Sequence, residues 1–252
     1  MKKLIIFDLD GTLAPSKSRM DFEMASLLAS LLKANKMVAI ISGGKYAQFE
    51  KQILPVMAEV GTLSNLKNLF LFPTCGAAFY KYVKNAWEEV YAENLSDQEK
   101  DKIKNAFTTA FLKLNYKHPQ NVYGEILEDR GTQITFSALG QQAPLELKEV
   151  WDTDSQKRLK IINTLVPHLE EFDLALGGTT SIDVLHKGIN KAYGIKKMEE
   201  HLGVKKIEML FIGDKIFPGG NDYAAKEAGV ECIQVANPEE TKKQIARILR
   251  EC

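Results

Sequence analysis

The chain has few cysteines and no excess of charge of either sign. Its 252 residues include three cysteines, and 33 Lys and Arg residues balance 33 Asp and Glu residues. The cysteines, Cys75, Cys232 and Cys252, have no CxxC spacing, so neither a disulfide framework nor a zinc site is expected. Zero net charge, with no Lys- or Arg-rich run, argues against nucleic-acid binding.

Long hydrophobic runs are also missing. Only four consecutive apolar residues precede Asp8, too few for a signal peptide, and no later run approaches the length of a membrane span. The composition, 45% hydrophobic and 26% charged, is ordinary for a globular protein with a sizeable core. We therefore expect a cytoplasmic protein without membrane association. The sequence does not fix the oligomeric state, and a homodimer is one option.

Short apolar runs alternate with helical patterns at both ends of the chain. Residues 4–7, 37–41 and 69–72 predict buried strands, and residues 207–212 and 232–235 repeat the pattern. Apolar strands separated by helices predict a parallel sheet covered on both faces, that is, a Rossmann-like α/β core.

The middle of the chain follows a different pattern. Ser96 and Glu99 form a capping-box sequence that predicts the start of a helix, but strands and helices here do not alternate as βαβ units. We therefore expect residues 91–186 to form an inserted α+β cap domain that confers substrate specificity. Residues 1–90 and 187–252 would then form one discontinuous catalytic domain.

Two carboxylates follow the first predicted strand directly, in the sequence Asp8-Leu9-Asp10-Gly11-Thr12. In an open parallel sheet, ligands bind beyond the carboxyl ends of the strands. One acid at such a position attacks phosphorus as a nucleophile, while the other protonates the leaving oxygen and later activates water. An Asp-Gly turn without a catalytic role is the alternative interpretation.

Two further strand ends carry polar residues. Ser42-Gly43-Gly44 follows the second strand, where the Ser42 hydroxyl and the N–H groups of a helix start suit a phosphate oxygen. The same sequence is also common in plain turns. Asp214 follows the strand at 207–212 and supplies a further oxygen ligand of the kind that Mg²⁺ prefers.

Three residues at predicted helix starts complete the set. Lys191 would hold Asp8 and the transferring phosphoryl group, although a solvated surface lysine is the alternative. Asn221 and Asp222 lie at the predicted start of another helix. Capping that helix explains either residue as well as a role in the site does.

These motifs, in their order along the chain, resemble those of the haloacid dehalogenase superfamily of phosphotransferases. The resemblance implies Asp8 as the nucleophile that forms an aspartyl-phosphate, and Asp10 as the general acid and base. It implies Mg²⁺ held by Asp8, the backbone carbonyl of Asp10, and Asp214, with Asp222 nearby as an orienting group. It implies a phosphorylated small molecule as substrate, contacted in the core by Thr12, Ser42, Gly43, Lys191 and Asn221.

Within that superfamily, the insertion after the third core strand resembles the α+β-capped branch. The long spacing from Asp214 to Asp222 resembles eukaryotic-type phosphomannomutases. The other motifs that carry this resemblance are Phe72-Pro73 followed by Gly76, Arg130-Gly131-Thr132, and Gly177-Gly178 leading to Ser181 and Asp183. In that family a Ser and an Asp of the cap bind the sugar phosphate, and Ser181 and Asp183 match them.

The chain departs from that family where the second phosphate would bind. Lys17 stands where a core arginine is expected, Lys148 and Gln141 stand at two cap arginine positions, and no residue is found for a third. A mutase must hold a bisphosphorylated sugar in two orientations, and neither Lys nor Gln replaces the planar arginine fork. The sequence therefore favours a Mg²⁺-dependent phosphatase of a sugar phosphate or similar metabolite, with phosphomannomutase activity as the alternative.

A non-catalytic phospho-accepting module of the receiver type uses the same residue types. In such modules, however, the accepting Asp lies on a later strand and no lid of this size is present. A module that only accepts a phosphoryl group needs no general acid and base such as Asp10, so the pattern favours an enzyme.

Overall fold

Buried apolar strands form the centre of the fold. The computed structural model describes residues 2–60 and 63–251. The strands are β1 (Leu4–Asp8), β2 (Met37–Ile41), β3 (Leu69–Phe72), β4 (Ala78–Val83), β5 (Ala86–Ala92), β6 (Leu127–Asp129), β7 (Gln133–Ser137), β8 (Phe172–Gly177), β9 (Ser181–His186), β10 (Met209–Gly213) and β11 (Glu231–Gln234). The helices are α1 (Phe22–Lys33), α2 (Tyr46–Gln52), α3 (Leu54–Glu59), α4 (Asp97–Lys113), α5 (Leu145–Trp151), α6 (Gln156–Leu165), α7 (Lys191–Leu202), α8 (Tyr223–Glu227) and α9 (Pro238–Arg250). Short 3₁₀ segments lie at Leu63–Asn68, Thr74–Gly76, Val166–His168 and Lys206–Glu208.

The chain divides into two compact units. One runs to Ala92 and resumes at Ile189, and the other spans Glu93–Gly188. Within the described ranges, no helix combines the length and the apolar character that a membrane crossing requires.

The first unit, called the core unit below, contains a seven-stranded sheet in the order β11-β10-β1-β2-β3-β4-β5. The five strands from β11 to β3 are parallel, which confirms the predicted α/β class. The last two strands form an antiparallel hairpin at the edge of this sheet, which the sequence analysis did not predict. The hairpin was missed because its strands are partly exposed and lack a continuous apolar run.

Parallel pairing brings three strand ends to one edge of this sheet. Phe7 pairs with Ile40 of β2 and with Ile212 of β10, so Asp8 follows at this edge and Ser42 and Asp214 follow one residue further along their strands. The helical segment after Ser42 breaks at Ile53 into α2 and α3, with proline in the first turn of α3.

The second unit, called the cap unit below, has its own sheet and its own core. Four antiparallel strands run in the order β6-β7-β9-β8, and Phe107 of α4, Phe136 of β7 and Leu165 of α6 belong to one buried cluster. The capping box is confirmed, since the Ser96 hydroxyl accepts from the Glu99 N–H and the Glu99 carboxylate accepts from the Ser96 N–H.

Candidate active site

A buried lysine lies between two carboxylates at the edge of the core sheet. The Lys191 Nζ donates to Asp8 Oδ1 at 2.5 Å and also to Asp222 Oδ1. Lys191 is 1% exposed, so the alternative of a solvated surface lysine is wrong. Asp222 Oδ2 accepts from the Lys215 N–H at 2.9 Å, and the Asp222 side chain makes no capping bond to α8. Asp222 therefore orients Lys191 instead of capping a helix.

Two glycines let the start of α7 approach the loop after β3. A Cβ on Gly194 would lie 2.5 Å from Ile41 Cδ1 and 3.1 Å from the Cys75 carbonyl oxygen, and a Cβ on Gly76 would lie 2.5 Å from Gly194 Cα. Asn190 caps the helix by accepting from the N–H groups of its first turn. This close backbone contact places Lys191, the first residue of α7, next to Asp8.

The cluster carries more negative than positive charge. Burial raises the pKa of Asp8 to about 7, with Asp222 and Asp214 adding to the rise and Lys191 opposing it. Burial alone would lower the pKa of Lys191, but Asp222 and Asp8 hold it above its usual range. Burial also raises the pKa of Asp214. Three carboxylates thus face the Lys191 ammonium and the Lys215 ammonium, whose Nζ lies 4.0 Å from Asp214 Oδ2, and a further cation would stabilise their ionised forms.

The donor set fits a divalent cation. Asp8, Asp214 and Asp222 each offer a carboxylate oxygen, and these oxygens lie within 4.8 Å of one another. Gly11 allows Asp214 to reach the strand end, because a Cβ there would lie 2.6 Å from Asp214 Oδ2. An all-oxygen set of this kind suits Mg²⁺. Asp8 and Asp214 would hold the ion, since Lys191 and Lys215 already occupy Asp222.

Two hydroxyl groups lie at the same sheet edge. Thr12 is fully buried, and its Oγ1 has no hydrogen-bond partner among the described residues. Ser42 is 2% exposed, and its Oγ accepts from the Gly44 N–H at 3.1 Å across Gly43. An unpartnered buried hydroxyl is costly unless a ligand completes it, so Thr12 is available to a phosphoryl oxygen. Asn221 is exposed in the turn before Asp222.

Asp10 is held by Lys17 and by two glutamines that the sequence analysis did not identify. Its Oδ1 accepts from the Lys17 N–H at 2.7 Å, and its Oδ2 accepts from Gln48 Nε2 at 2.7 Å. Gln52 Nε2 lies 3.4 Å from Oδ1, and the exposed Lys17 directs its Nζ to Gln48 Oε1 at 2.8 Å. The only sequence signal for these glutamines is their spacing of four on the helix that follows Ser42, which places both on one face.

In the cap unit, the cationic side chains of Arg130 and Lys148 both contact Gln141. Arg130 donates to Gln141 Oε1 at 3.2 Å, and Lys148 Nζ donates to the Gln141 carbonyl oxygen at 2.9 Å. Arg130 also pairs with Glu128 at 2.7 Å. The sequence analysis found no residue for a third cap position, although it noted the Arg130 motif. The hydrogen bond to Gln141 places Arg130 beside one of the two predicted cap positions.

Ser181 and Asp183 lie on β9 with their partners on β7. Ser181 pairs with Ser137, and Asp183 Oδ1 accepts from Thr135 Oγ1 at 2.7 Å. A Cβ on Gly177 would lie 2.6 Å from Asp183 Oδ2, so glycine is required beside this carboxylate. This row of polar groups on the cap sheet holds the residues that the family resemblance assigned to sugar binding.

Comparison with known proteins identifies relatives over nearly the whole chain. The model of the eukaryotic phosphomannomutase family matches residues 24–251. A phosphomannomutase of Encephalitozoon cuniculi is 25% identical over 262 residues, covering 99% of this chain and 94% of the relative. One from Saccharomyces cerevisiae is 28% identical over 226 residues, covering 87% and 83%. These matches support the mutase alternative better than the phosphatase that the sequence analysis preferred.

Solved structures agree on the fold. An IMP-bound, N-terminally truncated IMP-nucleotidase from Plasmodium falciparum is 18% identical with a TM-score of 0.71, covering 99% of this chain and 68% of that chain. A haloacid dehalogenase-like hydrolase from Bacteroides thetaiotaomicron is 14% identical with a TM-score of 0.67, covering 98% and 100%. The fold, together with the match over residues 24–251, shows that this chain is an enzyme of the haloacid dehalogenase phosphotransferase class and belongs to the eukaryotic phosphomannomutase family.

Proposed function

We propose that the chain interconverts mannose 1-phosphate and mannose 6-phosphate by way of a phosphorylated Asp8. The observation that carries the phosphoryl-transfer chemistry is the buried Lys191, which holds Asp8 in a pocket of carboxylates at the carboxyl edge of the sheet. Family membership supports the mutase outcome. Cytoplasmic location and a phosphorylated small-molecule substrate remain part of this proposal.

In the first step, an Asp8 oxygen attacks the phosphorus while the bond from phosphorus to the sugar oxygen breaks. Asp10 gives its proton to that leaving oxygen. Lys191 stabilises the charge on the phosphoryl oxygens, and Thr12 and Ser42 donate hydrogen bonds to them. Mg²⁺ between Asp8 and Asp214 supplies further charge neutralisation when bound.

In the second step, the oxygen of the next acceptor attacks the phosphorus while the bond from phosphorus to Asp8 breaks, and Asp10 removes the proton of that acceptor. A sugar hydroxyl as acceptor gives a mutase, and water gives a phosphatase. The cap unit supports the mutase outcome, because the cationic side chains of Lys148 and of Arg130, which also pairs with Glu128, both donate to Gln141. We assign them to the phosphate that does not react, with Ser181 and Asp183 binding the sugar hydroxyls.

An assay with mannose 1-phosphate, Mg²⁺ and a catalytic amount of glucose 1,6-bisphosphate measures how much phosphoryl group is transferred to a sugar hydroxyl and how much to water. We expect mannose 6-phosphate to form faster than inorganic phosphate. Inorganic phosphate as the main product would restore the phosphatase interpretation.

Cap variants then test the second phosphate site. We expect Lys148→Met and Arg130→Met to lower mannose 6-phosphate formation by about tenfold or more, because a charged hydrogen bond to phosphate is worth about 1.5–3 kcal/mol. Hydrolysis of para-nitrophenyl phosphate, which carries no second phosphate, should stay within about twofold. Lys113→Met, at an exposed lysine of α4, is the matched control. Equal losses with both substrates would remove the cap cations from phosphate binding.

A further inference from the structure

We propose that Gln48 is a positioning residue that fixes the carboxylate of Asp10 for proton transfer and connects it to Lys17. The inference rests on the proposed function, since it concerns the acid and base of the same reaction. It assigns a role to a side chain that does not itself touch the phosphoryl group.

The Gln48 amide makes a separate bond at each of its ends. Its Nε2 donates to Asp10 Oδ2 at 2.7 Å, and its Oε1 accepts from Lys17 Nζ at 2.8 Å. A single planar amide therefore joins an anion to a cation. Both distances are those of well-formed hydrogen bonds.

The backbone around Gln48 is shaped to place this amide. A Cβ on Gly44 would lie 1.9 Å from Gln48 Oε1, so a side chain at this position in the turn before α2 would displace the amide from its present place. Lys17 has a φ of 58°, a left-handed conformation that is unfavourable for a residue with a side chain. That conformation directs the Lys17 N–H onto Asp10 Oδ1. Two separate parts of the core unit thus converge on one carboxylate.

The result is a carboxyl group with both oxygens anchored. Asp10 Oδ1 accepts hydrogen bonds from the Lys17 N–H and from the more distant Gln52 amide. Asp10 Oδ2 accepts one from the Gln48 amide. A carboxylate offers about four lone-pair sites, so Oδ2 keeps one for a proton. The proton leaves Oδ2 for the ester oxygen as the bond from phosphorus to that oxygen breaks and the bond from phosphorus to Asp8 forms.

A lysine or a water molecule at this place would hold Asp10 less specifically. The amide combines a donor for Asp10 with an acceptor for Lys17, and only this combination orients both charged groups. Replacing Gln48 by Glu keeps the acceptor but brings a second carboxylate against Asp10. Replacing it by Leu removes both bonds at similar volume.

The test compares two aryl phosphates that differ in their need for a proton. Phenyl phosphate releases a basic oxygen that Asp10 must protonate, whereas para-nitrophenyl phosphate releases a stable anion. Formation of the phosphorylated enzyme is followed by rapid mixing in the presence of Mg²⁺ for the wild type, Gln48→Leu, Gln48→Glu and the control Lys51→Met. Lys51 is exposed on the same helix.

We expect Gln48→Leu to slow the reaction of phenyl phosphate by about tenfold, a part of the 10²–10⁴-fold that general acid catalysis typically contributes. The rate with para-nitrophenyl phosphate should change by less than about twofold, and KM for both should stay close to that of the wild type. Gln48→Glu should be impaired at least as strongly as Gln48→Leu.

Three results would overturn the inference. Equal losses with both substrates would indicate a general structural role, and no loss with either would indicate no role. A normal Gln48→Glu enzyme would show that the Lys17 contact matters and the Asp10 contact does not. Labelling by acetyl phosphate at the wild-type rate confirms a folded site in each variant, while a wild type that forms no phosphorylated enzyme would instead contradict the proposed function.

Discussion

At the scale of single residues, buried charged side chains in both units are stabilised by ion pairs with a few partners. Lys191 stabilises Asp8 and Asp222 in the core unit, and Arg158 stabilises Asp152 in the cap unit. Arg158 also donates to the carbonyl oxygen of Gly178 at 3.1 Å, so this ion pair holds the turn that leads to Ser181. Removing one member of such a pair leaves an uncompensated buried charge.

Asp152→Asn should therefore destabilise the cap unit by about 3 kcal/mol at neutral pH. Burial alone would raise the pKa of Asp152, but hydrogen bonds from Arg158 and from the Lys157 N–H hold it below its usual value. The stabilisation is thus complete above about pH 4 and is lost as the pH falls through the lowered pKa of the folded state. The free energy of unfolding is measured at each pH by denaturant titration, followed by Trp151 fluorescence in a Trp87→Phe background.

The difference between wild type and Asp152→Asn should shrink in acid, while the exposed control Asp101→Asn should match the wild type throughout. A difference that stays constant down to pH 2 would contradict the assigned pair.

At the scale of elements, the position of α7 decides where Lys191 lies. Gly194→Ala should push the first turn of this helix away from Ile41 and from the loop after β3. We expect a loss of about 1–3 kcal/mol in stability, as for other overpacked sites. We also expect kcat to fall about tenfold, equivalent to about 1.4 kcal/mol in the barrier.

Steady-state kinetics and thermal unfolding of Gly194→Ala, compared with Lys196→Ala on the exposed side of α7, check this expectation. A protein that loses stability but keeps its full kcat would show that the glycine contact does not position Lys191.

Element patterns also explain how much the sequence could predict. The first three strands were predictable because their residues are apolar and buried on both faces, and an acid or a serine follows two of them. Gln48 was not identified, and Arg130 was noted only as part of a motif, because contacts between distant parts of the chain bring Asp10 beside the first and Gln141 beside the second.

At the scale of the whole molecule, Mg²⁺ bound at the proposed site would link the chemistry to stability. The three carboxylates repel one another in the folded core unit, and a bound cation removes that repulsion. At a concentration of about 100 times Kd, Mg²⁺ should stabilise the folded state by about 2.7 kcal/mol. For a chain of this size, that corresponds to a rise in Tm of several degrees, or about 2–4 °C per kcal/mol.

Calorimetry with and without Mg²⁺ measures the shift, and Asp214→Asn should reduce it strongly. An equal rise in Tm for the wild type and Asp214→Asn would place the cation elsewhere. The two compact units should be fitted as separate transitions if both are visible.

The most direct measurement for the whole account is the site of the covalent phosphate. The enzyme is mixed with acetyl phosphate or mannose 1-phosphate and Mg²⁺, quenched in acid, digested and analysed by peptide mass spectrometry. The account predicts a phosphate on Asp8 that is absent in Asp8→Asn, while that variant keeps a folded core unit. A phosphate on another residue, or turnover that persists in Asp8→Asn, would contradict it.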